Sequence, residues 1–133
     1  MVYYCWQCYA EADAPSGSCR RCGGRVEAPA QATYVERLLW ALDHPLAERQ
    51  MIAAKVLGRR RERAAVEPLR AIALTAPDPY LAAQALESLI EIEGRDTLRE
   101  MLLELALSAP AQVRKVARAH SQGGGRGGRG DYR

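Results

Sequence analysis

Four cysteines are the residues with the clearest chemical meaning in this sequence, and all of them lie within its first 22 residues. They form two Cys-x2-Cys pairs, CWQC and CRRC, which are separated by ten residues. Two such pairs can bring four thiolates to the corners of a tetrahedron, which is the geometry that Zn²⁺ prefers. The spacing therefore predicts a metal site, and its ligands are Cys5, Cys8, Cys19 and Cys22.

Other uses of the four cysteines are weaker alternatives. A thioredoxin-like redox pair needs a βαβ context, which this sequence lacks. The N-terminus shows no secretory leader, so we expect a cytoplasmic protein, and a reducing compartment disfavours disulfides. Iron would use the same four thiolates and stays a minor alternative to zinc. Four protein ligands leave no open coordination position, so we expect one structural Zn²⁺ ion rather than a catalytic one.

The cysteine segment resembles a small zinc ribbon of the rubredoxin-like type over residues 3–26. Gly23 and Gly24 directly follow Cys22, where a tight turn needs positive φ. The resemblance implies a metal-stabilised module, which we place at residues 1–28. So short a segment has few aliphatic side chains for a core, and a metal would supply the missing folding energy. Rubredoxin-like iron sites usually have a longer span between their pairs, which favours zinc here.

Aromatic residues are concentrated around the first cysteine pair, at Tyr3, Tyr4, Trp6 and Tyr9. The favoured interpretation is that they cover the small core of the ribbon or dock it onto the first helix, where Trp40 could join the same contact. The alternative is an exposed platform for a partner or for nucleic-acid bases. Under that alternative, the candidate partner-binding residues of the ribbon are Trp6, Arg20 and Arg21.

The elements that follow the cysteines are predicted to be helical. Phe is absent, so a core must be built from Leu, Ile, Val and Ala, of which Leu and Ala are strong helix formers. Apolar residues recur at i, i+3, i+4 and i+7, for example at Val35, Leu38, Leu39 and Leu42. This periodicity predicts about six helices, over residues 32–42, 46–58, 64–75, 79–92, 96–107 and 111–119.

An internal repeat organises these helices. Residues 44–76 align with residues 77–109 without a gap, at an offset of 33 residues. A third copy begins at residues 110–120 and stops after one helix, and residues 32–42 match the second helix of an earlier copy. A fixed period of this length is typical of stacked helical hairpins. The sequence therefore predicts a mainly α fold, a short α-solenoid over residues 29–120.

The pattern R-x3-AA-x2-LG-x6-AVEPL-x3-A, from Arg49 to Ala73, resembles the short HEAT-like repeat of phycobilin-lyase-type proteins. Residues 78–94 are a weaker second match, with Leu81-Ala82 where the family usually has Val-Arg. The resemblance implies a HEAT-like fold and a protein-binding scaffold. Some proteins with such repeats are lyase subunits, but the matching residues are packing residues and no catalytic role is carried over.

Capping residues mark several of the predicted helix ends. Thr33 with Glu36, and Thr97 with Glu100, fit the capping box at a helix start. Gly58 and Gly94 suit the position just beyond a helix end, where glycine is favoured.

The positive charge is concentrated in two segments. The whole chain carries +3, whereas residues 111–133 hold six basic and one acidic residue, a net charge of +5. Residues 121–133 are rich in glycine and arginine, and we expect this tail to be disordered. The candidate RNA-binding residues in and before the tail are Arg114, Lys115, Arg118, Arg126 and Arg129.

A second basic segment, RRRER at residues 59–63, is predicted to be the turn between the two helices of the first repeat. A solvated turn is the default interpretation, and a patch for phosphate or an acidic partner is the alternative. Its candidate binding residues are Arg59, Arg60, Arg61 and Arg63.

These features favour a non-catalytic zinc-binding adaptor that holds a protein partner. No nucleotide-binding loop, nucleophile elbow or metalloprotease motif is present, so we expect no enzymatic activity. No apolar run approaches the ~20 residues of a membrane span. One alternative is an RNA or ribonucleoprotein-binding accessory protein that uses the ribbon, the basic segment and the tail. A second is an accessory subunit of a lyase-like modifying enzyme, which rests on family analogy alone.

Overall fold

The computed structural model describes residues 2–122, and they contain six α-helices preceded by a small two-stranded module. This confirms the predicted mainly α fold with a cysteine cluster at its N-terminus. The tail residues Arg126 and Arg129 lie outside the described residues. In chain order the elements are β1 (Tyr3–Tyr4), β2 (Glu11–Ala12), α1 (Tyr34–Ala41), α2 (Ala47–Arg60), α3 (Val66–Thr75), α4 (Pro79–Glu93), α5 (Arg99–Ser108) and α6 (Ala111–Gln122).

The helices stack as the 33-residue repeat predicts. Helix α4 packs against α2, α3 and α6, while α5 packs against α6 and α1 against α2. The contacts between successive layers join residues about one repeat apart. Ser88 Oγ donates a hydrogen bond of 2.7 Å to the carbonyl of Ala54, and His120 Nε2 lies 3.4 Å from a carboxylate oxygen of Glu87. Helices α2, α4 and α6 are therefore equivalent helices of successive layers in one stack.

A single apolar core runs through the stack. Its largest fully buried side chains are contributed by every helix hairpin and include Leu42, Leu57, Leu69, Leu86, Leu89 and Leu102. Helix α4 contributes the most residues to this core because neighbours cover it on three sides. No helix among residues 2–122 has the length and apolar character of a membrane span.

Helix α2 ends later than its glycine predicts. The helix continues past Gly58 to Arg60, and Arg61 takes the left-handed conformation with φ 55°. The Arg61 N–H donates to the carbonyl of Gly58, and the Glu62 N–H donates to that of Leu57, which is the Schellman pattern. The prediction of Gly58 as the cap is therefore wrong. Its lack of a side chain serves a different purpose, close contact with Ser88 on α4.

The second predicted capping box is also absent. Thr33 and Glu36 form the reciprocal box at the start of α1, as predicted. Helix α5, however, begins only at Arg99, and no side chain caps it. The chain from Gly94, whose φ is 86°, turns back from α4 and places Leu98 in the core before the helix begins. Thr97 is therefore one residue too early to cap α5.

Candidate metal centre

The four cysteine sulfur atoms form a compact cluster. Cys5 Sγ lies 3.8 Å from Cys22 Sγ, Cys8 Sγ lies 3.7 Å from Cys19 Sγ, and all four lie within 4.8 Å of one another. Four sulfurs at ~2.3 Å from a central ion in a tetrahedron are about 3.8 Å apart. The observed distances fit this arrangement and are far longer than the ~2.05 Å of a disulfide bond. The cysteines are free thiols, and their geometry suits a four-coordinate metal ion.

Two loops of the same shape place the cysteines. In the first, the Cys5 N–H donates to the carbonyl of Ala10 at 2.9 Å. In the second, the Cys19 N–H donates to the carbonyl of Gly24 at 2.7 Å. Each loop has a residue with positive φ directly after its second cysteine, Gly23 with φ 80° and Tyr9 with φ 65°. The first loop thus adopts the glycine-type turn with a tyrosine, at a local cost of roughly 1 kcal/mol.

Backbone N–H groups point at three of the four sulfurs. Donors lie 3.3 Å from Cys5 Sγ, Cys19 Sγ and Cys22 Sγ, and they belong to Gln7, Arg21 and Gly24 respectively. Such bonds favour the thiolate over the thiol. A Cβ on Gly24 would lie 2.8 Å from Gln7 Cγ, so glycine also lets the two loops approach each other.

Backbone N–H groups, desolvation and hydrogen bonds between the thiols split the pKa values of Cys19 and Cys8. The backbone N–H groups of Cys22 and Arg21 lower the pKa of Cys19 to about 6. The pKa of Cys8 is raised to about 11, because desolvation and the neighbouring thiols outweigh the N–H of Ala10, which lowers it. Full ionisation of the cluster therefore needs a cation among the sulfurs, which is the chemistry of a thiolate metal site.

An aromatic stack joins the cysteine loops to helix α1, which confirms the predicted docking contact for Trp6, Tyr9 and Trp40. The Trp40 ring is stacked on Trp6 at 5.2 Å and on Tyr9 at 4.9 Å between ring centroids. Two hydrogen bonds cross the same contact: Trp40 Nε1 donates to the carbonyl of Trp6 at 2.8 Å, and the Tyr9 hydroxyl donates to that of Trp40 at 2.7 Å. We call Trp6, Tyr9 and Trp40 the docking stack.

His44 is buried beside the docking stack, with 2% of its surface exposed. Its ring contacts Tyr4 and Trp40 edge-on, with centroids 4.5 Å and 5.3 Å away. Its Nδ1 accepts a hydrogen bond from the N–H of Leu46, so Nε2 carries the proton of the neutral ring, and Nε2 has no hydrogen-bond partner among the described residues. Desolvation and the positive charge of Arg49 lower the pKa of His44.

The basic segment at residues 59–63 is only partly a turn. Arg59 and Arg60 belong to α2, Arg61 follows the helix, and Arg63 opens a single 3-10 turn over Arg63–Ala65. Arg60 binds Glu62 at 3.0 Å and lies over the Tyr34 ring, and Arg63 donates to the carbonyl of Ile92. Arg59 and Arg61 are exposed and have no ion pair within residues 2–122.

The remaining basic candidates lie on separate surfaces. On the ribbon, Arg20 lies 3.7 Å from Asp13, and both side chains are almost fully exposed, while Arg21 has no ion pair within the described part of the chain. On α6, the guanidinium groups of Arg114 and Arg118 donate to carbonyls at the end of α5 and in the loop after it, and Lys115 is exposed. These residues therefore belong to two different elements, the cysteine module and α6.

A groove opens between the first and second layers of helices, with a volume of ≈ 480 Å³. Its walls are mainly apolar, and its charged residues are both acidic, Asp43 after α1 and Asp78 at the start of α4. We call it the acidic groove. Its lining comes from the end of α1, from α2, α3 and the start of α4, and includes Gln50, Pro68, Ala71, Ile72 and Leu81.

The sequence analysis did not single out Arg37, Arg49 or the burial of His44. Arg37, Trp40 and His44 are spaced by three and four residues, which places their side chains on one side of α1 and its extension. This spacing indicates that the three residues share one side of α1 and its extension. Only the tertiary structure shows that the N-terminal cysteine module packs on that side.

Comparison with known proteins identifies the helical part of the chain. The family described as HEAT repeats matches residues 35–121, which is about two thirds of the sequence. No match was found among curated proteins or among solved structures. The match spans all six helices of the stack and agrees with their layered packing. The chain therefore belongs to the HEAT repeat family.

Proposed function

We propose that this chain is a non-catalytic adaptor, in which a structural zinc ion stabilises the N-terminal ribbon and the HEAT repeats hold a protein partner. The acidic groove carries this proposal. HEAT repeats present their grooves as extended binding surfaces, and this groove combines apolar walls with two carboxylates and no basic side chain. Its chemistry suits a segment that places an apolar side chain next to a lysine or arginine.

The cysteine cluster supports a structural role for the metal. Within residues 2–122, one group of cysteine, histidine and acidic residues has metal-binding spacing, and it supplies four protein ligands. A tetrahedral ion with four thiolates has no open position for a substrate. Zinc suits four thiolates and short loops, and iron is the minor alternative with the same ligands. Metal analysis of the purified protein should give one zinc per chain, whereas a coloured iron protein would contradict the zinc assignment.

Affinity capture from the native cells with two groove variants tests the adaptor proposal. Asp43→Lys reverses a groove charge, and Ala71→Glu adds bulk and charge at an exposed position of the same groove. Matched controls are Glu104→Lys and Ala119→Glu, which make the same changes at exposed positions of α5 and α6. Capture uses the full chain after nuclease treatment. A partner that is lost from both groove variants and kept by both controls supports the proposal.

Two results would contradict the adaptor proposal. Partner sets that are identical for groove and control variants would show that the groove is not used. A partner set that disappears with nuclease would favour the alternative, RNA binding. That alternative is supported by Arg21, Arg59, Arg61 and Lys115, which are exposed and have no ion pair within residues 2–122. RNA binding through them would show a steep loss of affinity with salt.

A further inference from the structure

A cleft of ≈ 480 Å³ lies at the junction between the cysteine ribbon and the first two helices. Ligand sites in proteins commonly have volumes of roughly 300–1,000 Å³, aromatic walls, a few polar groups and a position between domains. We propose that this junction cleft binds a nucleotide, with the base stacked on its aromatic wall and the phosphate held by Arg37 and Arg49. The proposal concerns a different surface from the acidic groove and does not depend on the adaptor function.

The aromatic wall is both exposed and rigid. Tyr3, Tyr4, Trp6 and Trp40 line the cleft, and each of them is half-buried, so part of each ring stays accessible. Trp40 is itself stacked on Trp6 and Tyr9, so it holds Trp6 in place rather than taking the base, and its Nε1 donates to the Trp6 carbonyl. The rings left to stack with a base are those of Tyr3, Tyr4 and Trp6. Base stacking on such a ring contributes roughly 1–3 kcal/mol and is favoured when the ring is already held in place.

Two guanidinium groups on the same cleft lack acidic partners. Arg37 on α1 and Arg49 on α2 line it, and neither has an ion pair or side-chain hydrogen bond within residues 2–122. The acidic residue of the lining, Glu27, is already engaged, because Arg25 contacts its carboxylate at 2.7 Å and the Gly17 N–H donates to it at 3.0 Å. The cleft therefore offers uncompensated positive charge, and arginine binds phosphate well because its fork-shaped donors match the oxygen atoms.

A buried polar atom without a hydrogen-bond partner also lies at the cleft. His44 also lines the cleft, and its Nε2 is buried without a hydrogen-bond partner among the described residues. Buried polar groups are nearly always paired in native proteins, so an unpaired Nε2 beside a cleft is consistent with a partner in the cleft, such as a bound ligand or water.

The aromatic wall and the two arginines together favour a nucleotide over simpler ligands. An aliphatic carboxylate would pair with Arg37 and Arg49 but leave the aromatic wall without a stacked partner. An uncharged aromatic ligand would use the wall but leave both guanidinium groups uncompensated. A nucleotide carries a flat π system and a phosphate on one small molecule, so it satisfies both sets of groups at once.

The two tryptophans of the chain provide the measurement, because Trp6 and Trp40 both line the cleft. Tryptophan emission of the intact, metal-loaded protein is titrated with adenosine monophosphate, with excitation at the red edge where adenine does not absorb. We expect saturable quenching by the nucleotide and at least about tenfold weaker binding of adenosine and of inorganic phosphate. Absence of saturable quenching, or equal binding of adenosine or phosphate, would overturn the proposal without the use of any variant.

A charge-matched pair of variants locates the site. Arg37→Ala/Arg49→Ala should weaken nucleotide binding by about tenfold or more, since it removes the charge-assisted hydrogen bonds to phosphate. Lys55→Ala/Arg99→Ala removes the same charge from exposed positions outside the cleft and should leave the affinity within about twofold. All four side chains are exposed, and far-ultraviolet circular dichroism checks that both variants keep their helices. Equal weakening in the two variants would show that only the net charge of the protein affects binding. That result would overturn the proposed site.

A final comparison identifies the source of the nucleotide. Short single-stranded oligoadenylate is titrated beside adenosine monophosphate at several salt concentrations. Much tighter binding of the oligomer with a steep salt dependence would identify a strand of nucleic acid as the source. Equal affinity per nucleotide with little salt dependence would identify the free nucleotide.

Discussion

Gly58 shows how a single residue can have a different role from the one its type suggests. The sequence places a glycine near the end of a helix, but the structure uses its missing Cβ for contact between two helices. A Cβ built at Gly58 would lie 2.6 Å from Ser88 Cβ and 2.7 Å from Ser88 Oγ. The same serine donates the hydrogen bond that joins α4 to the carbonyl of Ala54. Helices α2 and α4 are therefore in close contact at Gly58 and are joined by a hydrogen bond at Ala54.

Gly58→Ala should destabilise the protein even though alanine is the better helix former. The gain in helix propensity is about 1 kcal/mol, whereas forcing a methyl group into a packed contact costs roughly 1–3 kcal/mol. We expect a lower free energy of unfolding by about 1 kcal/mol or more, measured by urea denaturation. In a Ser88→Gly background the obstructing Cβ is gone, so Gly58→Ala should cost less there. Equal costs in both backgrounds would contradict the steric explanation.

His44 is the residue whose ionisation should affect stability. Desolvation and Arg49 lower its folded-state pKa below the ordinary value of 6.5. The unfolded chain therefore binds a proton at a pH where the folded protein does not, and stability falls as pH decreases below about 6.5. Above that value both states hold a neutral ring, and the contribution of His44 is fully present.

The pH dependence is isolated by comparison with His44→Asn, whose side-chain oxygen can still accept the N–H of Leu46. Protonation of the cysteine thiols affects both proteins alike, so that effect cancels when the two are compared. We expect wild type to lose stability relative to the variant between about pH 7 and pH 5, measured by urea denaturation. A difference that stays constant over this range would show that His44 does not titrate between the two states.

At the scale of elements, the decisive feature is how the ribbon is attached to helix α1. The ribbon has a very small core of its own, formed by Cys5, Cys19 and Val26. The docking stack adds two aromatic stacks and two hydrogen bonds between ribbon and helix. Tyr9 occupies the positive-φ position of the first cysteine loop, and its ring stacks on Trp40. The ribbon therefore packs against the end of α1, the first helix of the stack, which is where repeat proteins carry their terminal caps.

Removal of the metal should lower the melting temperature of the helices as well as that of the ribbon. The ribbon loses its folding energy without metal, and α1 then loses its aromatic cover. We expect a decrease of about 4 °C or more in the helical transition, followed by circular dichroism after chelation, and a similar decrease in Cys5→Ser. In Trp40→Ala the coupling is already broken, so chelation should shift the helical transition less. Unchanged helical melting in the chelated wild type would show an uncoupled ribbon.

At the scale of the whole molecule, stability is expected to be uneven along the stack. Helix α4 has neighbours on three sides, whereas α5 and α6 are the last helices of residues 2–122 and pack mainly on each other. Stability in repeat proteins depends on contacts between neighbouring layers, so the end layers open more easily than the centre.

Leu102→Ala should therefore loosen one end of the molecule more than the rest. Leu102 is a buried residue of α5, and its truncation should cost about 2–5 kcal/mol. Native-state hydrogen exchange should show faster exchange in α5 and α6, with little change in the amides of α2. Exchange that accelerates equally in all six helices would show that the stack unfolds only as a single unit.

The sequence by itself determined the four-cysteine cluster, the helical repeat and most helix positions. These properties follow from local spacing: two cysteine pairs, apolar residues at helical period, and a 33-residue offset between equivalent residues. Local spacing also predicted the capping box at Thr33 and the start of α4 at Pro79, because both depend on neighbours within one turn of helix.

Only the tertiary structure decided the roles that depend on distant neighbours. It places Gly58 against Ser88, fixes Trp40 between two rings of the ribbon and buries His44. It also delays α5 to Arg99, because Leu98 must reach the core first. The physical reason is that burial and unpaired charge are properties of a packed neighbourhood. Arg37 and Arg49 lie 12 positions apart in the sequence, and they line one cleft only because the ribbon is docked beside them.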